Sequence, residues 1–177
     1  MAVTDWKAPT TAANVDRDGK VYWLDPDNAM DDDADYAVGS PEKNTYSDWL
    51  RLTNFDFSAI PSGATINGIE LQYKRDATNA NDICDSALYL RKTSGQIGDN
   101  KASATKYATS KETVTYGGAS DLWGYAWTQS DIVSANFGVD LSVLETQNLV
   151  TSCNIYYCQI RVYYTAAVTF QPWAIIM

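Results

Sequence analysis

The acidic residues between positions 25 and 35 are the first group in this sequence whose types and spacing suit ion binding. Calcium prefers clustered carboxylates, but an EF-hand loop has a glycine at its sixth position and a glutamate at its twelfth, and this run has neither. We expect a solvated acidic loop and no cofactor, with a metal site as the alternative that mutation of Asp32 and Asp33 would test first. The six aspartates are Asp25, Asp27, Asp31, Asp32, Asp33 and Asp35.

A second candidate site is an aromatic platform for a sugar. Trp123 and Trp127 stand close together in YGGASDLWGYAWTQSDIVSANFGVDL, residues 116–141. Aromatic faces stack on the apolar faces of sugars, but two tryptophans beside a glycine-rich turn are equally typical of a corner that closes one end of a β-sandwich. We predict core packing for both side chains. Trp6, Trp49 and Tyr125 are further aromatic residues that could serve a sugar site.

The absence of histidine limits catalysis. Histidine is the usual general base at neutral pH, so Ser-His-Asp and Cys-His mechanisms are excluded. Hydrolysis by a carboxylate pair needs two acids about 5–10 Å apart across a cleft, and no strand singles out such a pair. Cys84, Cys153 and Cys158 lack the spacing of a zinc site, and Cys158 is predicted to be a small buried hydrophobe. We therefore expect a protein that is not an enzyme.

The charge balance and the N-terminal sequence limit the partners. A net charge of -9 with scattered lysines and arginines disfavours nucleic acid and an acidic membrane surface. There is no run of 18 apolar residues, and the first twenty residues lack the basic and apolar regions of a signal peptide. The odd number of cysteines fits synthesis in a reducing cytosol.

Alternation of apolar and polar residues is the dominant structural signal. In GIELQYKR, Ile69, Leu71 and Tyr73 share one face, and similar alternation marks ALYLRK, NFGVDLSV and NIYYCQIRVYYT. In the last of these, Tyr156 and Cys158 are predicted to lie on the same face. Turn sequences separate these strands from three further ones, in KVYWL, DWLRLTNFDF and KYATSKETVTYGG. The sequence predicts one all-β domain, an antiparallel sandwich of jelly-roll type, and leaves the strand order open.

The stretch between Trp127 and Phe137 contains the one helical signal. Thr128 and Asp131 have the spacing of a capping box, so TQSDIVSA is predicted to form one or two helical turns. Gly117, Gly118 and Gly124 are predicted at positions that require a positive φ or a close backbone approach. These features favour a corner over a site.

Several longer motifs resemble the small β-sandwich domains of phage and prophage virion proteins. NFDFSAIPSGATINGIELQYKR is similar to a recurring segment of those domains, and YGGASDLWGYAWTQSDIVSANFGVDL resembles a second one. The closing strand IRVYYT and the N-terminal WLDPDNAMDDDADYA also match. The resemblance covers about residues 20–165, and it implies a sandwich at 20–165 between an N-terminal arm at 1–19 and an apolar C-terminal arm at 166–177.

The resemblance implies a non-enzymatic virion component. The first hypothesis is a capsid decoration (cement) protein on the particle exterior, made in the host cytoplasm, that binds the major capsid protein and self-associates, as a homotrimer by analogy. The alternative is a receptor- or glycan-binding module of a tail fibre or spike, and a bacterial adhesion domain is a third. Head or tail location, oligomer number and host stay open. The apolar C-terminal tail is expected to form the interface, and the alternative is that it folds back on its own sandwich. The expected interface residues are Phe170, Trp173, Ile175 and Ile176.

Overall fold

The computed structural model of the chain describes residues 1–18, 21–147 and 151–167. Besides a 3-10 turn at Pro26–Ala29 and the helix α1 (Gln129–Ile132), the regular structure is β. No helix in the described ranges is long and apolar enough to cross a membrane. The strands are β1 (Ala2–Val3), β2 (Thr11–Val15), β3 (Ala37–Gly39), β4 (Trp49–Thr53), β5 (Thr65–Ala77), β6 (Ile83–Lys92), β7 (Gly95–Ile97), β8 (Glu112–Gly117), β9 (Gly138–Glu145) and β10 (Cys153–Thr165).

The strands form two antiparallel sheets. In the first, the β10 sheet, the order is β1-β10-β5-β8, and β3 also pairs with β10. In the second, the β9 sheet, the order is β2-β4-β9-β6-β7. The pairs β6·β7, β5·β8, β4·β9 and β3·β10 are nested one inside the next. This is the wound double ribbon of a jelly roll, so the predicted fold class is confirmed.

The core lies between the two sheets and is built from the alternation seen in the sequence. In β5, Ile69, Leu71 and Tyr73 are fully or almost fully buried, as predicted. Leu88 and Leu90 of β6 face them from the other sheet. Because each sheet turns one side of its strands inward, the residues between these positions lie on the outer faces.

The prediction that Tyr156 shares one face of β10 with Cys158 was wrong. A β-bulge between Ile155 and Tyr157 shifts the register, so Cys153 and Ile155 share the core with Cys158. Tyr156 is buried outside this core, and its hydroxyl donates to Asp76. A bulge adds one residue to a strand and reverses the alternation beyond it, which periodicity alone does not reveal.

The N-terminal residues differ from the predicted arm. β1 pairs with β10, and β2 pairs with β4 at the edge of the β9 sheet, so the described residues 1–18 contribute one strand to each sheet. The predicted strand KVYWL is wrong, because within 21–24 only Val21 and Leu24 form isolated bridges. Of the predicted C-terminal arm, residues 168–177 lie outside the described residues, and these include Phe170, Trp173, Ile175 and Ile176.

The corner between β8 and β9 confirms the predicted local geometry. Thr128 and Asp131 form a reciprocal capping box at the start of α1. Trp123 is completely buried and Trp127 nearly so, and their indole N–H groups donate to the backbone oxygens of Ile69 and Leu122. The three predicted turn glycines, Gly117, Gly118 and Gly124, all have positive φ. The two tryptophans therefore seal one end of the sandwich.

Candidate binding face

The acidic loop is a surface feature. Residues 31–36 are exposed, Asp32 forms an ion pair of 2.7 Å with Lys74, and Asp33 accepts a hydrogen bond from the backbone of Asp35. Among the described residues, no group of three or more His, Cys, Asp or Glu side chains is arranged to hold a metal ion. The loop thus joins the β10 sheet through Lys74.

The other predicted aromatic residues fall in different places. Trp6 is half-buried at the β10 sheet, with the Arg161 guanidinium 4.5 Å from its ring centre. Tyr125 packs against Trp127, and its hydroxyl accepts a hydrogen bond from Lys92. Trp49 lies on β4, on the outer face of the β9 sheet. The structure therefore does not bring these aromatic residues together in one platform.

The outer face of the β9 sheet brings aromatic, guanidinium, amide and carboxylate side chains together. The inward positions of β4, β6 and β9 carry aliphatic side chains, so their alternate positions must face outward. These outward positions, with Arg17 after β2 and Gln96 on β7, form a surface that we call the arginine face. It consists of Arg17, Trp49, Arg51, Tyr89, Arg91, Gln96 and Asp140.

Asp140 organises the centre of the arginine face. Its side chain is completely buried, although it projects from the outer side of the sheet, because Arg51 and its other neighbours cover it. Arg51 donates two hydrogen bonds of 2.8 and 3.1 Å to the Asp140 carboxylate, and Gln96 donates a third of 3.0 Å. The Nε atom of Arg91 lies 3.5 Å from the same carboxylate. Two guanidinium groups therefore share one carboxylate.

The register explains this arrangement. Arg51 is directly opposite Asp140, which is opposite Tyr89 on the next strand, so the three residues form one row across the sheet. Arg91 pairs in the next row with Gln96. Opposite residues of neighbouring antiparallel strands have Cβ atoms about 4.5–5.5 Å apart, close enough for these contacts.

Arg17 supplies the third cation of the arginine face and lies against the ring of Trp49. Its guanidinium lies 4.4 Å from the centre of the Trp49 ring and 4.1 Å from that of Tyr46. It donates hydrogen bonds of 2.7 Å to Ser142 and 3.1 Å to Ser86. Both acceptors are neutral hydroxyls. The Arg17 guanidinium is thus held by ring faces and hydroxyl groups, with the Asp18 carboxylate bonded to the hydroxyl of the adjacent Tyr46.

The shifts in the pKa values of the three arginines agree with these contacts. Hydrogen bonds to Asp140 raise the pKa of Arg51. Burial lowers the pKa of Arg17 and outweighs the attraction of Tyr46 and Asp18. Burial also lowers the pKa of Arg91, and repulsion from Arg51 adds to that effect. Asp140 attracts both arginines, but for Arg91 this attraction does not offset the lowering of the pKa by burial.

The outer face of the β10 sheet also has polar groups that are paired with each other, but it carries one arginine, Arg161, where the arginine face carries three. Gln72 donates to Gln159, and Glu70 accepts from both Arg161 and Tyr163. The burial of Glu70 would raise its pKa, but these two hydrogen bonds outweigh that effect and lower it. We therefore assign the candidate site to the arginine face.

A polar cluster inside the sandwich is almost closed to solvent. The completely buried Asp85 carboxylate accepts hydrogen bonds from the hydroxyls of Tyr73, Tyr107 and Tyr116. Arg75 adds an ion pair of 3.2 Å. Burial raises the pKa values of all three tyrosines. Since the side chains of Arg75 and Asp85 are both buried, this cluster is a structural network and not a binding site.

A cavity of about 480 Å³ lies beside the sealed corner. It is lined by residues 62–66 and 127–130, none of which has an ionisable side chain. The ring of Trp127 is 6% exposed and offers little surface to a ligand there. Its polar groups are neutral, and some of them are already bonded within the protein, since Gln129 donates to the backbone oxygen of Ile60 and the Thr128 and Ser130 hydroxyls bond to each other.

Comparison with known proteins gives distant structural similarity only. No protein-family model matches the sequence, and no curated protein does. A solved structure described as CBM4 has 6% identity and a TM-score of 0.45, over 75% of this chain and 87% of that chain. The CBM22-1 xylan-binding domain of Paenibacillus barcinonensis Xyn10C has 12% identity and a TM-score of 0.41, over 89% and 86%.

A third solved structure is the N-terminal cellulose-binding domain of Cellulomonas fimi β-1,4-glucanase C. It has 10% identity and a TM-score of 0.39, over 93% of this chain and 90% of that chain. Identities of this size and TM-scores below 0.5 are too low to transfer a ligand or an activity to this chain.

The arginine face was not among the sites predicted from the sequence, apart from Trp49. Its members come from five separate segments, and their meeting depends on strand pairing, which alternation leaves open. The available signal was the set of large polar and aromatic residues at outward positions, such as Tyr89 and Arg91 in ALYLRK. The predicted face of β6 was correct, but it did not indicate which strands would lie beside it.

Proposed function

We propose that this protein is a non-enzymatic glycan-binding module whose ligand lies across the arginine face. The observation that carries the proposal is one open sheet face that combines aromatic rings with planar hydrogen-bonding groups. Trp49 and Tyr89 are half-buried and meet edge to face, with 6.4 Å between ring centres. Arg51 and Gln96 supply the planar polar groups beside them.

This combination suits a sugar. Sugar rings have one apolar face of C–H groups, which packs on an aromatic ring, and a rim of hydroxyls that accept and donate hydrogen bonds. Aromatic side chains provide contact area at a low entropy cost, and a guanidinium group offers donors in a fixed fork. Because Asp140 already holds Arg51, its guanidinium is oriented before the ligand arrives, which reduces the ordering cost of binding.

The same geometry supports binding without catalysis. Acid-base hydrolysis of a glycoside requires a carboxyl group within reach of the scissile oxygen. Asp140 is the carboxylate at the centre of the face, but its side chain is completely buried. Its two oxygens are held by Arg51 and Gln96. The proposed module therefore holds its ligand and leaves it unchanged.

A module of this kind fits the alternative that the virion resemblance implies, a receptor- or glycan-binding part of a tail fibre or spike. Capsid decoration stays a prediction, since its expected interface at Phe170, Trp173, Ile175 and Ile176 lies outside the described residues. Its test is cosedimentation of the full chain, and of a chain without residues 166–177, with shells that lack the protein.

The proposal is tested on an array of neutral and acidic polysaccharides probed with the labelled full chain. Aromatic residues at the centre of an interface often contribute 2 kcal/mol or more, so Trp49→Ala and Tyr89→Ala should each weaken binding about 30-fold. Trp6→Ala is the matched control, because Trp6 is a half-buried aromatic residue on the other sheet. Absence of binding to every polysaccharide, or equal loss in the control, would overturn the proposal.

A further inference from the structure

The distribution of arginines over the molecule is uneven. The sequence contains five arginines, and three of them, Arg17, Arg51 and Arg91, lie on the arginine face. Arg75 is in the core, and Arg161 lies on the other sheet. The chain as a whole carries a net charge of -9, so this concentration of cations runs against its overall charge.

Neutral groups accept several of the hydrogen bonds that the arginines of the arginine face donate. Asp140 forms ion pairs with both Arg51 and Arg91, while Arg17 donates to two serine hydroxyls. Arg91 also donates to the backbone oxygen of Asn136, which is another neutral acceptor. Asp18, whose carboxylate accepts a hydrogen bond from the Tyr46 hydroxyl, also attracts Arg17.

Each of these guanidinium groups is also held in place. The rings of Tyr46 and Trp49 lie against the Arg17 guanidinium, and serine hydroxyls accept hydrogen bonds from one of its nitrogen atoms. Such a fixed fork matches the planar oxygens of a carboxylate or the oxygens of a sulfate, and charge-assisted bonds of this type are about twice as strong as neutral ones. An anionic group would therefore gain more from this face than a hydroxyl would.

We propose that the arginine face selects acidic glycans, in which a uronate carboxylate or a sulfate ester binds at Arg17 and at the Arg51–Arg91 pair while a sugar ring packs on Tyr89. This inference rests on the proposed glycan-binding function and specifies its ligand class. The negative charge of the whole chain repels polyanions in general, so affinity for one requires a local site.

The test uses two pairs of polymers that differ only in charge: polygalacturonate against its methyl ester, and dextran sulfate against dextran. Retardation of the full chain in native gels that contain each polymer gives the dissociation constant. We expect at least one charged polymer to bind tenfold or more tightly than its neutral partner, and the pair that shows the difference identifies carboxylate or sulfate as the anion. Raising the salt concentration should weaken that binding.

Variants then locate the anion. Arg17→Gln should weaken binding of the charged polymer about tenfold or more, and Arg17→Lys, which keeps the charge, should retain part of it. Arg161→Gln removes the same charge from the other sheet and should bind like the wild type. The thermal unfolding midpoint of each variant shows that it is folded, and Arg91→Gln replaces Arg17→Gln if the latter does not fold.

The outcomes separate the two proposals. If neutral polymers bind as tightly as charged ones and Tyr89→Ala abolishes binding, the glycan-binding function stands and the acidic specificity is wrong. The acidic specificity is also wrong if Arg17→Gln and wild type bind the charged polymer equally. If the wild type binds no polymer here or on the array, the glycan-binding function itself is wrong.

Discussion

Replacement of Asp85 by alanine should strongly destabilise the protein. Asp85 and Arg75 form an ion pair with side chains that are 0% and 2% exposed. Removal of one partner of a buried pair costs about 3–5 kcal/mol, because the other charge stays buried. Arg75 keeps a second partner, Glu112 at 2.9 Å, whose side chain is 36% exposed. We therefore expect the lower end of that range, about 3 kcal/mol.

For a chain of this size, 1 kcal/mol changes the unfolding midpoint by about 2–4 °C, so Asp85→Ala should lower it by roughly 6–12 °C. Circular dichroism during heating measures the change. Asp32→Ala is the matched control, since it removes an aspartate from the exposed pair with Lys74 and should cost at most about 1 kcal/mol. Tyr107→Phe, which removes one donor to Asp85, should fall between the two. Equal midpoints for Asp85→Ala and Asp32→Ala would refute the reasoning.

Three further predictions concern single positions. Gly68→Ala should destabilise more than Gly95→Ala, measured by urea unfolding, because a Cβ at Gly68 would lie 2.2 Å from the backbone oxygen of Gly118. A Cβ at Gly95 would meet nothing within 4 Å, so that variant carries only the strain of its positive φ of 116°. The lowered pKa of Glu70 contributes stability that is present in full above pH 4.5 and is lost as the pH falls below it, so Glu70→Gln should lose less stability than the wild type on acidification. The three cysteine thiols should react with a thiol reagent only after the protein unfolds, because all three are buried. Burial also raises the pKa of Cys153 to about 12. Rapid labelling of the native protein would contradict this prediction.

Much of the fold follows from local patterns in the sequence. Alternation identified the inward faces of β5 and β6, and the capping box at Thr128 identified α1. β2 was missed because Thr11–Val15 has small side chains and no strong alternation, so its position depends on pairing with β4. Local propensity is a weak guide where tertiary pairing decides the structure.

The candidate site could not be predicted in the same way. Arg17 and Ser142 are 125 residues apart in the sequence, and Arg51 and Asp140 are 89 apart. Their contacts exist because β4 and β9 are neighbours in the nested ribbon. The sequence alone showed Asp140 as one polar residue in an apolar strand, and only the strand order reveals the guanidinium groups that surround it.

The most direct test of the central claim is amide chemical-shift mapping by NMR of the 19.6 kDa chain, titrated with the oligosaccharide of the polymer that gives the strongest array signal. We expect saturable shifts that cluster on β4, β6 and β9 around Trp49, Tyr89 and Asp140. Shifts that cluster instead on β5 and β10, or at the cavity beside Trp127, would contradict that claim.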